Sequence, residues 1–355
     1  MRAAALKSGK IYVNDDVPEP QPGFGQVLVQ VKACGICGSD LHFVDHGPQM
    51  IDLGKQMKGM PDLAGLGADP DAEPAPELDF DRDIFMGHEF SAEVLEAGPD
   101  TDAPPPGTLV TSLPVLMTAR GIAPIVYSNE VHGGYGERML LSAGLLMPVP
   151  NGLDARHAAL TEPMAVGLHA VNKARVAPGE GALVLGCGPV GLACIAALRL
   201  KGIDTIVAAD FSPARRAIAA QMGATEVVDP AQEDAFDAWQ RAGRGRQLVV
   251  FEAIGVPGII DTVLRDAPVG TRLLVVGVCM EHDTINPFFG ISKELNIQFA
   301  LAYDPMEFAE CLRAIAEGDI DVSPMITGEV GLDEVPAAFE ALRNPEAHCK
   351  ILVTP

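Results

Sequence analysis

Three residues of this chain could together hold a catalytic metal. Cys37 lies in Cys34-Gly35-Ile36-Cys37-Gly38-Ser39-Asp40-Leu41-His42, His88 in Met86-Gly87-His88-Glu89-Phe90, and Glu162 in Leu160-Thr161-Glu162-Pro163-Met164. A thiolate, an imidazole and a carboxylate are ligand types that zinc accepts. Three protein ligands leave a fourth position open for water or substrate, which is the pattern of a catalytic rather than a structural site. Each residue also has a plainer reading: a small buried cysteine, a satisfied core histidine, a first-turn carboxylate favoured by the helix dipole. Local context weighs against these. Asp40 can accept a hydrogen bond from behind a ligand, and Ser39 and His42 offer a route by which a reacting alcohol could lose its proton. Glu89, directly after His88, competes with Glu162 for the third ligand position.

A second constellation lies downstream. Gly186-Cys187-Gly188-Pro189-Val190-Gly191 follows the apolar run 181–185, and Asp210 ends the next apolar run, 19 residues after Gly191. Glycines at this spacing let a pyrophosphate approach the backbone at a helix N-terminus, where Pro189 and Val190 open the helix. A carboxylate such as Asp210 accepts the ribose hydroxyls. The same carboxylate repels a 2′-phosphate, so NAD is favoured over NADP; Arg215 and Arg216, which follow, keep NADP open. Arg215 and Lys350 complete the cofactor-binding candidates. Zinc beside a nicotinamide cofactor points to alcohol oxidation or carbonyl reduction.

The elements that must position these groups change character near residue 154. Before it, 26–33 alternates in the strand manner, 90–96 is a second strand-like run, and proline and glycine punctuate the rest as in an irregular barrel-like β domain. After it, helix patterns at 156–173, 190–201, 213–222 and 234–242 alternate with strand-like runs at 181–185, 203–209, 247–251 and 272–278. That alternation predicts a parallel sheet covered on both faces. A helix at 306–316 and a strand at 349–353 follow. Residues 45–83 separate two ligand motifs. Their acidic end, 69–83, reads as a solvated loop, whereas the earlier part, with Met50, Met57 and Met60, could cover the mouth of the site.

With 355 residues the chain suits two domains. The 48 Asp and Glu against 25 Lys and Arg give a net charge of −23, a field that repels phosphate backbones and anionic lipid, so neither nucleic acid nor a membrane is an expected partner. The seven cysteines are scattered and odd in number, as in a reduced compartment. No signal-like h-region and no run of about 20 apolar residues is present, and a cytoplasmic location is expected.

Taken together, Gly35-Ile36-Cys37-Gly38-Ser39-Asp40, Gly87-His88-Glu89, Gly133-Gly134-Tyr135-Gly136-Glu137, Glu162-Pro163, the glycine fingerprint and the closing Lys350-Ile351-Leu352-Val353 resemble the zinc-dependent alcohol dehydrogenase branch of the medium-chain dehydrogenase/reductase superfamily. The resemblance implies an α/β chain: a GroES-like catalytic domain (1–153 and 303–355) interrupted by a doubly wound Rossmann domain (154–302). It further implies Cys37, His88 and Glu162 as zinc ligands, Glu89 as a movable fourth group, and Ser39 and His42 as the proton route. The Glu162-Pro163 frame looks closer to the polyol dehydrogenase subgroup. Relatives of this kind commonly form homodimers or homotetramers.

Two departures stand out. Residues 110–132 contain no cysteine where many relatives carry four for a structural zinc, so a single catalytic zinc is expected. Cys37 and His88 stand 51 positions apart, longer than is usual, so 45–83 reads as an insertion. The rival readings are a metal-free quinone or enoyl reductase on the same fold, and a non-catalytic dinucleotide-binding protein.

Overall fold

The computed structural model describes residues 1–56 and 77–355. The N-terminal part is β-rich. Strands β1 (Ala3–Lys7) and β2 (Lys10–Asn14) form a hairpin. Strand β3 (Gln26–Gly35) leads directly into helix α1 (Gly38–Gln56), and β4 (Ile84–Phe85) and β5 (Glu89–Ala97) flank His88. Then come β6 (Leu109–Ser112), the hairpin β7 (Val115–Thr118) and β8 (Gly121–Pro124), β9 (Arg138–Ser142) and β10 (Leu146–Pro148). Strand β3 is the organising element. It pairs antiparallel with β5 and β9, and its last residues, Cys34 and Gly35, sit opposite Phe90 and Glu89. That register brings the Cys37 turn and His88 to the same end of the sheet.

Helices α2 (Ala155–Ala159) and α3 (Thr161–Ala174) come next, where the sequence predicts one helix over 156–173. The break has a covalent cause. Pro163 has no N–H to donate to the carbonyl of Ala159, so the helix ends and restarts, with Thr161, Glu162 and Pro163 in a new first turn. Glu162 is thereby fixed at the start of a buried helix.

The following alternation runs β11 (Gly181–Leu185), α4 (Pro189–Leu200), β12 (Ile206–Ala209), α5 (Pro213–Gln221), β13 (Glu226–Val228), α6 (Ala235–Gly243), β14 (Leu248–Glu252), α7 (Ile259–Asp266), β15 (Arg272–Val275), α8 (Pro287–Lys293) and β16 (Asn296–Phe299). Its six strands form one parallel sheet in the order β13-β12-β11-β14-β15-β16, the doubly wound order of a dinucleotide fold. Strands β11 and β14 are buried at every position, as central strands covered on both faces must be.

Helix α9 (Pro305–Glu317), strand β17 (Ile326–Val330), helix α10 (Val335–Ala341) and strand β18 (Lys350–Val353) close the chain. Strand β18 returns to the first sheet and pairs with β3 at Cys34 and Gly35. The C-terminal segment thus re-enters beside the Cys37 turn.

Helix α1 extends into the stretch that separates the two ligand motifs. Residues 45–56, to which the sequence assigns no element, continue it through Pro48. Phe43 on α1 packs against Phe80, which follows the undescribed stretch, and Met50 lies against the same core. Met57 and Met60, and most of the acidic end, lie outside the described residues. Residues 115–124, within the cysteine-free stretch, form the β7–β8 hairpin.

Candidate active site

Two of the three expected ligands, Cys37 and His88, converge with Glu89, and Glu162 is not part of that group. Among the described residues, donor atoms of Cys37, His88 and Glu89 lie within 4.8 Å of one another. Asp40 ties the site together from behind. Its Oδ2 accepts from the Cys37 backbone N–H at 3.0 Å and from the Tyr135 hydroxyl at 2.6 Å, and its Oδ1 faces His88 Nδ1 at 3.6 Å. Among the described residues neither Oδ1 nor Nδ1 has a hydrogen-bond partner; Nδ1 is the ring nitrogen that faces Asp40, which leaves Nε2 for a metal. Tyr135 is delivered by the Gly133-Gly134 turn. A Cβ on Gly133 would stand 2.2 Å from the Met86 carbonyl oxygen, and one on Gly134 2.4 Å from Cys34 Sγ. Side chains there would push away the strand that carries His88.

The two glutamates differ in one decisive respect. Both Glu89 oxygens accept from the Lys350 ammonium at 2.7 Å, and Lys350 also donates to the Ile36 carbonyl at 3.0 Å. Both side chains of this pair are fully buried. Glu89 fits there because position 35 is glycine: a Cβ on Gly35 would lie 2.0 Å from its Oε2. The ammonium of Lys350, expected among the cofactor-binding groups, is here buried and directed to Glu89 and Ile36.

Glu162 forms no ion pair among the described residues, and the Tyr303 phenol faces its carboxylate. Burial pushes its carboxyl up to about 7, against the lowering effect of His88. Proximity alone would rank Glu89 above Glu162 as a ligand. Charge balance ranks them the other way, since Glu89 already has its cation.

His88 reflects the same imbalance. Burial disfavours its charged form, yet Asp40 first, then Cys37 and Glu162, reverse that and hold its pKa well above the ordinary value. A buried cluster that draws a proton onto an imidazole in this way suits a divalent cation. A thiolate, an imidazole and a carboxylate are donors of the kind zinc takes.

Ser39 and His42 stand three residues apart on α1, hence on one helical face. Both are half-buried. Burial, then the neighbouring His46, lowers the His42 pKa, with Asp45 opposing. The ring is therefore neutral and able to take a proton at neutral pH.

The glycine loop has the form that a dinucleotide needs. Gly186 has φ +90°, and a Cβ on Gly191 would lie 1.9 Å from the Gly186 carbonyl oxygen, so Gly191 lets α4 pack tightly against the turn. A Cβ on Gly188, by contrast, would meet no protein atom within 4 Å, which leaves the backbone open to a pyrophosphate at the N-terminus of α4, next to Pro189 and Val190. Asp210, just past β12, accepts from Cys187 N at 2.7 Å and Ser212 N at 2.8 Å, and so holds its carboxylate beside the loop. Arg216 donates to the Asp210 and Phe211 carbonyls and pairs with Asp229. The Arg215 Nε is buried and has no hydrogen-bond partner among the described residues.

Three participants escaped the sequence reading: Lys350 as the partner of Glu89, Tyr135 as the anchor of Asp40, and Tyr303 facing Glu162. The first two sit inside motifs that were legible, but their partners lie 261 and 95 positions away.

Comparison with known proteins agrees with this geometry. The alcohol dehydrogenase GroES-like domain family matches residues 23–151 and the zinc-binding dehydrogenase family residues 189–317. The (R,R)-butanediol dehydrogenase of Bacillus subtilis is 30% identical over 366 residues, covering 100% of both chains, and the sorbitol dehydrogenase of the same organism is 25% identical over 370 residues, covering 100% of this chain and 97% of that one. A solved structure from Sinorhizobium meliloti, described as a zinc-binding dehydrogenase bound to NADP, superposes with a TM-score of 0.80 at 29% identity, covering 100% of this chain and 99% of that one. With both halves matched and a full-length relative at this identity, the chain belongs to the zinc-type alcohol dehydrogenase branch of the medium-chain dehydrogenase/reductase superfamily, in its polyol dehydrogenase-like group, and is an oxidoreductase that works with zinc and a nicotinamide cofactor.

Proposed function

We propose that this chain passes a hydride between a secondary alcohol or polyol and NAD, and reduces the carbonyl in reverse, with Cys37, His88 and Glu162 holding one zinc. The observation that carries the ligand assignment is the contrast between the two buried glutamates: Glu89 is neutralised by Lys350, and Glu162 has no ion-pair partner among the described residues. A metal-free reductase of the same fold has no use for such an anion-rich pocket.

When bound, zinc would supply Lewis acidity toward the alcohol oxygen, and the nicotinamide would accept the hydride. The chain's own residues do the rest. Asp40 fixes the His88 ring and the Cys37 turn. Ser39 receives the proton from the substrate hydroxyl and passes one on toward His42, whose neutral ring can accept it. Lys350 keeps Glu89 behind the metal as a group that can approach it only by leaving a buried ion pair. Asp210 supports NAD as the preferred cofactor, and Arg215 is the basic group nearest to serving a 2′-phosphate.

We further place the domain limits at 1–153 with 303–355, and at 154–302. A homodimer or homotetramer is supported by exposed Phe299 and Leu301 on and beside edge strand β16 and by Phe288 and Ile291 on α8, an apolar strip that a second copy would cover. Seven unpaired cysteines support a cytoplasmic site of action, and among the described residues no helix is long and apolar enough to cross a membrane.

The test is metal analysis with three variants. About one zinc per chain is expected in the purified protein. Cys37→Ala should abolish turnover and leave dinucleotide binding intact. Glu162→Ala should lose zinc to a mild chelator, whereas Glu89→Ala should retain more metal and suffer chiefly in turnover. Two zincs per chain, or the reverse order of retention, would overturn the assignment.

A further inference from the structure

A buried anion away from the metal ligands stands at the nucleotide crevice. Glu252 is the last residue of β14 and lies opposite Leu185 of β11, the residue before the Gly186 turn. Strands β12 and β13 lie on one side of β11 and β14 to β16 on the other, so a dinucleotide crosses the sheet at the carboxyl ends of β11 and β14. Asp210 marks the adenosine side, beyond β12. The β14 side, with Glu252, is left for the nicotinamide half.

Glu252 is 2% exposed. Its Oε1 accepts from the backbone N–H groups of Ile254 and Gly255, both at 2.8 Å, and so folds the chain back toward the glycine turn. A Cβ on Gly186 would lie 2.9 Å from the Ala253 carbonyl oxygen. The main-chain carbonyl of Glu252 accepts from Val276 and Gly277, just past β15, both at 2.9 Å. Its Oε2 lies between these two loops, where a Cβ on Gly277 would come within 2.9 Å of it, and it has no hydrogen-bond or ion-pair partner among the described residues. Glu89 shows how this fold treats an anion that it only has to bury: it supplies Lys350. At Glu252 no such cation stands among the described residues, and the neighbours that face outward, Ile254 and Val278, are apolar. A nicotinamide ring is cationic when oxidised and neutral when reduced. A fixed anion in an apolar wall attracts the first form and not the second.

We propose that Glu252 determines specificity for the oxidation state of the cofactor, its uncompensated carboxylate strengthening the binding of NAD relative to NADH. By the same differential affinity it biases the hydride equilibrium on the enzyme toward the oxidised cofactor. The inference rests on the NAD-dependent reading of the site and assigns a part to a residue outside both the glycine loop and the metal ligands. Its two oxygens divide the work: Oε1 holds the loop, and the charge acts on the crevice.

The experiment titrates NAD, NADH and ADP-ribose into zinc-loaded wild-type, Glu252→Gln and Glu252→Asp enzymes by isothermal calorimetry. Glutamine keeps an oxygen for the two backbone N–H groups and removes the charge. The expected result for Glu252→Gln is a Kd for NAD raised about fivefold or more, with NADH and ADP-ribose, which lacks the nicotinamide ring, within about twofold of wild type. Aspartate keeps the charge on a shorter arm, so Glu252→Asp should weaken all three ligands together and leave the ratio of NAD to NADH affinity within about twofold of wild type. An equal loss of NAD and NADH in Glu252→Gln, no loss of either, or a ratio moved as far by Glu252→Asp as by Glu252→Gln overturns the proposal. A Glu252→Gln protein that does not fold overturns it too, since glutamine retains the oxygen to which the loop is tied. A wild-type enzyme that binds NADP and not NAD overturns the NAD reading instead, and the same comparison made with NADP and NADPH then decides the role of Glu252.

Discussion

Removing the Lys350 ammonium should expose how much of this fold depends on one buried ion pair. Lys350 and Glu89 are both fully inaccessible, and the ammonium makes two 2.7 Å contacts to the carboxylate and one of 3.0 Å to the Ile36 carbonyl. Lys350→Met preserves the length of the side chain and leaves Glu89 as an uncompensated buried charge. Breaking a buried pair in this way costs about 3–5 kcal/mol. For a cooperative unit of this size the loss corresponds to a fall in Tm of roughly 10 °C. The assay is urea and thermal unfolding of metal-stripped protein followed by circular dichroism, run as a double-mutant cycle with Glu89→Gln. Glu89→Gln combined with Lys350→Met should be more stable than Lys350→Met alone, with a coupling of about 2 kcal/mol or more. A single-variant loss under about 1 kcal/mol, or a double variant no better than Lys350→Met, would refute the claim that Lys350 exists to neutralise Glu89.

Further outcomes follow from the nucleotide loop and from Glu162. Gly188→Ala should leave the unfolding midpoint within about 0.5 kcal/mol of wild type and weaken dinucleotide binding in a fluorescence titration, because its methyl meets only the space kept for the pyrophosphate. Gly191→Ala should impair folding as well, since its methyl would collide with the Gly186 carbonyl. Asp210→Gly should lower kcat/KM for NAD more than for NADP; a wild-type enzyme more efficient with NADP would show that Arg215 outweighs Asp210. In metal-free protein, Glu162 is raised from 4.5 to about 7, so the stability linked to its proton is fully present below about pH 4.5 and lost as pH rises through about 7. Glu162→Gln should flatten that slope in urea titrations across the interval, and an unchanged slope would show that the carboxyl is not buried unpaired.

What the sequence made legible was whatever is written in local periodicity or in a short frame. The runs at 181–185 and 247–251 are continuous and apolar because both faces of their strands are covered, and they occur as β11 and most of β14. The glycine fingerprint was readable because each glycine answers a separate local demand of one turn. By contrast, 45–56 concealed a helix, because Pro48 and a run of polar residues mask the pattern of a surface helix. Strand β16 escaped because an edge strand with exposed positions lacks the unbroken apolar run of its neighbours. Lys350 was legible as part of a closing motif, but its partner was not. Spacing along the chain carries no information about a contact that β18 makes only by returning to β3.

The arrangement of charge explains why this site needs two glutamates when one would complete a zinc. Asp40, Cys37, Glu89 and Glu162 all act on a pocket nearly closed to water, and among the described residues Lys350 is the side-chain cation set between them. Burial works against the Lys350 charge, yet Glu89 and Cys37 hold its pKa above the ordinary value, so it stays charged and offsets one anion. The surplus falls on His88 and Glu162, which in the absence of metal both shift toward their protonated forms. A divalent cation must displace those protons to bind. On the proposed assignment Cys37, His88 and Glu162 would hold that cation, whereas Glu89, although its carboxylate stands close to Cys37 and His88, is committed to Lys350. Metal affinity should therefore rise with pH as the two protons are released, and Glu89, whose carboxylate lies within 4.8 Å of the Cys37 and His88 donor atoms, would be near enough to assist metal exchange once freed from Lys350.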